Sequence, residues 1–331
     1  MLGDISRDTI EVMRRQESTV YACVDYLQLL RHLARTSEEG NSLADALIAR
    51  REKICEWVYS VVDFFDVDRE AASIVLSYLD RFIATNISAN NETIDSRTLE
   101  LGAITALYIA LKLNYHGTLS IQTLVSLTNG RFNRSNIELM EVSMLSQLDW
   151  YVHPPTAVQF VHQFAQFFPT EMTDQAVYTS MIEQACFYTE LAVWDTQICL
   201  KTCHPSTVGY AALLNAMESI NINRLSPGAL KVFVESIAYI CPDLVPSSGT
   251  VLEAQHRLFD MKLVPVVDPD EELSPPESPK KPREGYQMED TSSSAHRIPL
   301  EDKTSYILNE TSPRGFDTRH PPAKRVRVNE F

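Results

Sequence analysis

Residues Asp95–Leu113 read DSRTLELGAITALYIALKL. The apolar positions recur at helical spacing, and Asp95 or Ser96 stands where an N-cap belongs. Leu101, Ile104, Tyr108 and Leu111 form one stripe, and Ala103, Ala106, Leu107 and Ala110 cover the opposite side. A helix that is apolar or small on nearly every face is enclosed by other helices rather than laid on a surface. Gly102 and the alanines let those neighbours approach closely. The run ends in a charge, Lys112, where it meets the polar stretch Asn114–Gly117. The stretch predicts the central helix of a small helical domain, with Lys112 at its exposed mouth.

Helical patterns flank it on both sides. Asn41 or Ser42 caps a helix to about Phe65, with Ile54, Val58, Val61, Val62 and Phe65 inward. Asp68 caps a second, to about Ala84, through Val75, Leu79, Phe82 and Ile83. Ser120–Leu127 is short. Asn133 or Ser135 opens another to about Leu148, with Ile137, Met140, Met144, Leu145 and Leu148 inward. Asn86–Asn91, His116-Gly117 and Asn129-Gly130 supply turn residues between them. Pro154-Pro155 marks a boundary, after which the count begins again. Thr156–Phe168, Thr173–Val193, Pro205–Ser219, Ser226–Tyr239 (Pro227 at N1) and Ser248–Met261 read as five further helices. Pro205–Ser219 is rich in small residues, as the central helix of the first group is. Residues 1–47 are helical in pattern but irregular, with one or two amphipathic helices through Ile10, Met13, Val20, Cys23, Val24, Leu27 and Leu30, expected to pack on the outside, and a break at Thr36–Asn41.

Composition narrows the function classes. A net charge of −15 and a pI of about 5.0 oppose direct nucleic-acid binding, which needs clustered cations. The start MLGDISRD has no signal-peptide core, and no run approaches the roughly 18 apolar residues of a membrane span. A soluble intracellular chain is expected, with neither nucleic acid nor membrane as a direct partner. The six cysteines are scattered in helical context, which suits reduced thiols better than a disulfide framework. Cys199-x-x-x-Cys203-His204 has metal-ligand residue types but no second pair at zinc-like spacing, so no metal and no other cofactor is expected. Beyond Val264 the chain holds ten of its seventeen prolines, acidic runs such as Asp268–Glu272 and few large aliphatics. This stretch reads as a disordered regulatory tail.

Arg51-x-x-Ile54-x-x-Trp57, Tyr78-Leu79-Asp80-Arg81-Phe82, Leu107-x-x-Ala110-x-Lys112, Met140-Glu141-x-x-x-Leu145, and Leu148-Asp149-Trp150 leading to Pro155-Thr156-x-x-x-Phe160 follow one another in that order. Together these pieces resemble the cyclin box of the A, B and D groups. Pro154–Met261 resembles the more diverged C-terminal cyclin fold. The resemblance implies an all-α chain with two tandem five-helix cyclin folds. It divides into an N-terminal helical segment (1–40), a cyclin box (41–153), a C-terminal cyclin fold (154–262) and a tail (263–331). The mosaic suits a divergent member of protist or diatom type.

The same resemblance implies a regulatory subunit that binds and activates a cyclin-dependent Ser/Thr kinase, in the setting of nuclear cell-cycle control. Arg51 and Asp80 would form a buried structural ion pair between the first two helices of the box. Lys112 and Glu141 would face the kinase and hold its active arrangement. Leu145 and Trp150 would pack apolar surface against it. No catalytic signature stands out: no phosphate-cradling Gly-rich loop, no convincing carboxylate pair and no Ser/His/Asp set. The chain is therefore not expected to be an enzyme. A transcription factor of the IIB kind and a cyclin-fold scaffold without a kinase are the alternative readings. Arg50 and Lys53 depart from the apolar residues of the family's usual substrate-docking patch, although Ile54 and Trp57 remain. Leu113-Asn114-Tyr115 replaces the acidic residues often found after the lysine.

Three features of the tail complete the reading. Lys324, Arg325 and Arg327, after Pro322, resemble a short nuclear import signal, which implies an import receptor as partner and a nuclear location compatible with shuttling. Ser278, in Ser-Pro-Lys-Lys, matches a proline-directed phosphorylation pattern, and Ser274 and Ser312 match it less fully. Phosphate would add about −1.5 to −2 charge at each. The Pro-, Glu-, Ser- and Thr-rich stretch Asp268–Pro313 reads equally as a turnover signal, engaging ubiquitin-dependent degradation, and as an acidic linker.

Overall fold

The computed structural model describes residues 2–34, 36–115, 119–128, 130–220 and 226–263. Among the described residues every regular element is helical: α1 (Leu2–Ser18), α2 (Tyr26–Leu33), α3 (Ser37–Phe64), α4 (Glu70–Asn90), α5 (Ser96–Asn114), α6 (Ile121–Leu127), α7 (Arg134–Gln147), α8 (Ala157–Ala165), α9 (Gln175–Trp194), α10 (Pro205–Ser219), α11 (Pro227–Ile240) and α12 (Gly249–Leu263), with a 3₁₀ turn at Thr170–Met172 and a π-helical turn at Ile198–Thr202. No helix among them is long and apolar enough to cross a membrane.

The central helix forms as its residues dictate. The Asp95 carboxylate accepts the amides of Arg97 and Thr98 at 2.9 and 3.0 Å, which starts α5. Gly102 through Leu107 and Ile109 through Leu111 are buried against α3, α4, α6 and α7. Gly102 is required by closeness: a Cβ there would sit 3.0 Å from Phe82 Cε1 on α4. Leu101 and Tyr108 are half-buried, so the expected stripe is incompletely buried. Ser120 caps α6, and Asn133 with Asn136 forms a capping box at α7.

Three features differ from the sequence reading. The Thr36–Asn41 break is shorter: Thr36 caps α3 through the Glu39 amide, and the helix runs through Gly40 and residue 41. Gly40 survives inside a helix because a Cβ there would meet Arg31 Cα at 2.9 Å. Second, α4 does not stop near Ala84. Asn86 donates to the Phe82 carbonyl and to Gln147, at 2.8 Å each, instead of breaking the helix, and Asn91 (φ 53°) ends it in the left-handed conformation. Third, the N-terminal helices do not merely lie on the outside. Tyr26, Leu27 and Leu30 of α2 are buried where it packs on α3 and α4. Ile10 and Met13 of α1 enter the core built by α8–α12, beside residues such as Phe160, Tyr188 and Tyr210.

That core is organised around α10, which packs on α8, α9 and α12. Gly209 lets α8 approach: a Cβ there would lie 2.8 Å from the Ala157 carbonyl oxygen. α10 lacks a side-chain cap of its own, and Glu17 of α1 supplies one. Its carboxylate accepts the Ser206 amide at 2.9 Å and the Ser206 hydroxyl at 2.5 Å. Arg14 grips Asp243 through both Nη atoms, at 2.9 and 2.5 Å, on the same side. The tail beyond Leu263, with the turn residues His116-Gly117 and Asn129, lies outside the described residues.

Candidate functional site

At the C-terminal end of α5, Lys112 reaches α7 and donates to Glu141 Oε1 at 2.8 Å. The lysine side chain is 52% exposed and the glutamate 15%, so the cation faces solvent while its partner lies against the protein. The ammonium also stands 5.4 Å from the centre of the Tyr108 ring, one helical turn back. The hydrogen bond to Glu141 raises the Lys112 pKa, against a smaller effect of burial.

The same helix supplies apolar surface. α7 buries Ile137 and Met144. Leu145 is half-buried, and Leu139 and Val142 are largely exposed on the outer side. Beyond its end, Asp149 and Trp150 both adopt positive φ, 51° and 61°. The Trp150 amide donates to the Leu145 carbonyl at 3.0 Å, and its indole is 68% exposed. Lys112, Glu141, Leu145 and Trp150 thus lie on α5, α7 and the turn that follows α7.

Arg51 and Asp80 meet in the interior. Nε and Nη2 of the guanidinium each donate to the carboxylate at 2.8 Å, and the arginine side chain is 1% exposed. Burial opposes the Arg51 charge, and the groups around it, Asp80 foremost, together raise the pKa. Two partners were not legible in the sequence. The Tyr26 hydroxyl donates to Asp80 at 2.9 Å, and Arg51 Nη1 donates to the Val193 carbonyl at 2.9 Å. The pair therefore joins α2, α3, α4 and the end of α9. Nearby, Arg69 forks onto Asp63 at 2.8 Å and reaches Glu190 at 2.5 Å, while Tyr59 stacks on Trp194 with centroids 5.6 Å apart. An Arg with acidic residues six positions away was the available signal for the first of these contacts. The Glu190 and Trp194 contacts had none.

Arg50 and Lys53 are exposed, and Ile54 and Trp57 are half-buried, on α3. Cys199 donates to the Ala192 carbonyl at 3.3 Å within the π-helical region. The import cluster Lys324, Arg325 and Arg327 and the serines Ser274, Ser278 and Ser312 lie outside the described residues.

Comparison with known proteins bears on this arrangement. The family profile described as "Cyclin, N-terminal domain" matches residues 25–153, which takes in α2 as well as α3–α7. Cyclin-B1-3 of Arabidopsis thaliana is 29% identical over 114 residues, 34% of this chain and 26% of that one. G2/mitotic-specific cyclin-2 of Antirrhinum majus is 22% identical over 207 residues, 60% of this chain and 44% of that one. G1/S-specific cyclin-E1 of Danio rerio is 27% identical over 137 residues, 41% and 32% of the two chains. The matches thus span less than half the length of these relatives. Among solved structures, a viral cyclin from herpesvirus saimiri superposes with a TM-score of 0.50 at 17% identity, over 64% of this chain and 86% of that one. This last likeness is one of fold.

Proposed function

The chain belongs to the cyclin family, and on that premise we propose that it is the regulatory subunit of a cyclin-dependent Ser/Thr kinase, binding through Lys112, Glu141, Leu145 and Trp150 and promoting cell-cycle progression. The observation that carries this reading is the Lys112–Glu141 pair, joined at 2.8 Å on an exposed surface beside unburied apolar side chains. A surface ion pair of this kind contributes little to folding, about 0–1 kcal/mol. Its value lies in what it presents. Lys112 has three donors, one of them used by Glu141, so the ammonium can still reach carbonyl oxygens of a partner. Leu145 and Trp150 offer area whose burial favours association.

The mechanism is a shift of population. An inactive kinase has its regulatory Lys–Glu ion pair open, and activation requires that pair in place. A partner that binds the closed arrangement more tightly moves the equilibrium by its differential affinity and no further. The chain itself transfers no phosphoryl group; its role is to bind and to bias. The tail belongs to the same proposal: Lys324, Arg325 and Arg327 direct nuclear import, Ser278, Ser274 and Ser312 are phosphate acceptors, and Asp268–Pro313 governs turnover through the ubiquitin machinery.

The test is recovery of the full chain from an extract of its own dividing cells, with assay of histone phosphorylation and identification of bound proteins. A co-purified kinase that is active only with this chain is the expected result. Recovery of the chain with no kinase, or with one equally active alone, overturns the proposal.

A further inference from the structure

Arg81 follows Asp80 in the chain but points elsewhere. It is 8% exposed, and its hydrogen bonds go to backbone carbonyls: Nη1 to Tyr151 at 2.9 Å and Nη2 to Leu148 at 3.0 Å. These two carbonyls bracket Asp149 and Trp150, the consecutive residues with φ of 51° and 61°. Non-glycine residues rarely adopt that region, and a bulky aromatic there needs its surroundings to hold it. The guanidinium is itself fixed. It lies 5.3 Å from the centre of the Tyr21 ring, which meets the Tyr151 ring edge-on at 5.9 Å. The Tyr21 hydroxyl accepts the His153 amide at 3.2 Å, and the Tyr78 hydroxyl donates to the Val152 carbonyl. The backbone from Leu148 to His153 is thus gripped from α4 and from the segment between α1 and α2. Within this ordered turn, the Trp150 indole projects outward with 68% of its surface free.

We propose that Arg81 is a positioning residue: by bridging the Leu148 and Tyr151 carbonyls it fixes the left-handed turn that presents Trp150 to the partner kinase. The proposal rests on the reading of Trp150 as a kinase contact. The two carbonyls that Arg81 spans enclose Asp149 and Trp150, so its hold on the backbone is also a hold on the exposed indole. Pre-organisation also matters most for a side chain that must be ordered before it is buried, because ordering then costs nothing at the moment of binding. A lysine in place of Arg81 keeps the charge but cannot reproduce the planar fork that reaches both carbonyls.

The experiment uses the full chain labelled with 5-fluorotryptophan. Its three tryptophans give three fluorine resonances, and Trp150→Phe identifies the one that matters. Affinity for a recombinant cyclin-dependent kinase catalytic subunit is measured in parallel. Arg81→Lys should broaden or shift the Trp150 resonance, leave those of Trp57 and Trp194 in place, and weaken kinase binding about tenfold, less than the roughly 30-fold or more of losing an aromatic hot spot outright. In a Trp150→Ala background the same substitution should cost almost nothing further, because Arg81 acts through Trp150. Tyr21→Leu, which removes the ring over the guanidinium together with its edge contact to Tyr151 and the hydroxyl that accepts the His153 amide, loosens the same turn, should also move the Trp150 resonance, and serves if Arg81→Lys does not fold. A Trp150 resonance unchanged by both substitutions overturns the inference, as does an undiminished binding loss in the Trp150→Ala background. If Trp150→Ala alone leaves kinase binding intact, the reading of Trp150 as a contact fails, and the presentation of Trp150 to the kinase fails with it. The resonance then still reports whether Arg81 holds the turn.

Discussion

Arg51 Nη1 donates to the carbonyl oxygen of Val193, 2.9 Å away across 142 residues of sequence. The guanidinium that grips Asp80 also ties α3 to the end of α9, so one buried side chain connects the two groups of helices. Replacing Arg51 by Ala leaves the Asp80 carboxylate buried with only the Tyr26 hydroxyl, and leaves the Val193 carbonyl without this donor. Breaking one partner of a buried pair costs about 3–5 kcal/mol. Denaturant unfolding of Arg51→Ala should show a loss of that size. Arg51→Lys should recover part of it, because one ammonium cannot replace the three contacts of the fork. A midpoint unchanged in Arg51→Ala would show that the pair does not support the fold.

Lys112 and Glu141 predict the opposite balance. Replacing both with Ala should move the melting temperature little, since exposed pairs contribute about 0–1 kcal/mol. Kinase binding should fall sharply in a pull-down, with the helical circular dichroism signal unchanged. Equal losses of stability and of binding would place the pair among structural contacts instead.

Gly209 tests packing in the second core. A Cβ at this position would lie 2.8 Å from the Ala157 carbonyl oxygen and 2.9 Å from Phe160 Cβ, and a backbone atom cannot swing aside as a flexible side chain can. Gly209→Ala favours the helix intrinsically, yet it must push α8 away, at about 1–3 kcal/mol. A lower melting temperature is expected. A higher one would mean that α8 can move without cost.

How far these features can be read from sequence depends on how local their causes are. α5 was legible because Asp95, the apolar run and Lys112 lie within one stretch, and its cap formed where the residue type required. The five helices after Pro154-Pro155 were legible for the same reason. The α4 end was not, because Asn86 looks like a turn residue but bonds the Phe82 carbonyl. The Asn91 left-handed cap was the better signal. Lys112 and Glu141 were singled out by resemblance, and their contact then follows from the packing of α5 on α7. The Val193 carbonyl and the bridge from Arg81 to Leu148 and Tyr151 could not be read, since a backbone acceptor carries no residue identity. Trp150 was legible as an apolar residue, but not as one held at φ 61°.

Glu17 is the least expected of these contacts, and it predicts a dependence on pH. The carboxylate caps α10 through Ser206 with only 3% of the residue exposed. Burial pushes its pKa up, to about 7, against the Ser206 hydrogen bonds and Arg14, which lower it. The charged and titratable groups around it are Arg14, held by Asp243 from beyond α11, with Cys241 and His204 close by. Burial lowers the His204 pKa and Arg14 lowers it further, so His204 supplies no compensating cation at neutral pH. A carboxyl whose pKa is raised in the folded state stabilises fully below its ordinary value near 4.5. That stability is lost as pH rises through about 7. The scale is on the order of 3 kcal/mol at most. Thermal melts between pH 4.5 and 8 should therefore show this contribution declining with pH, over the background of other groups. Glu17→Gln keeps an acceptor for the Ser206 amide and cannot ionise, so its pH profile should be flatter than that of the natural chain, with the two diverging between about pH 4.5 and 7 and running parallel above that. Glu17→Ala should be less stable than Glu17→Gln at every pH, because the buried Ser206 amide loses its acceptor, a loss of about 1–3 kcal/mol. If Glu17→Gln and the natural chain show parallel profiles across this range, the Glu17 carboxyl does not titrate between 4.5 and 7.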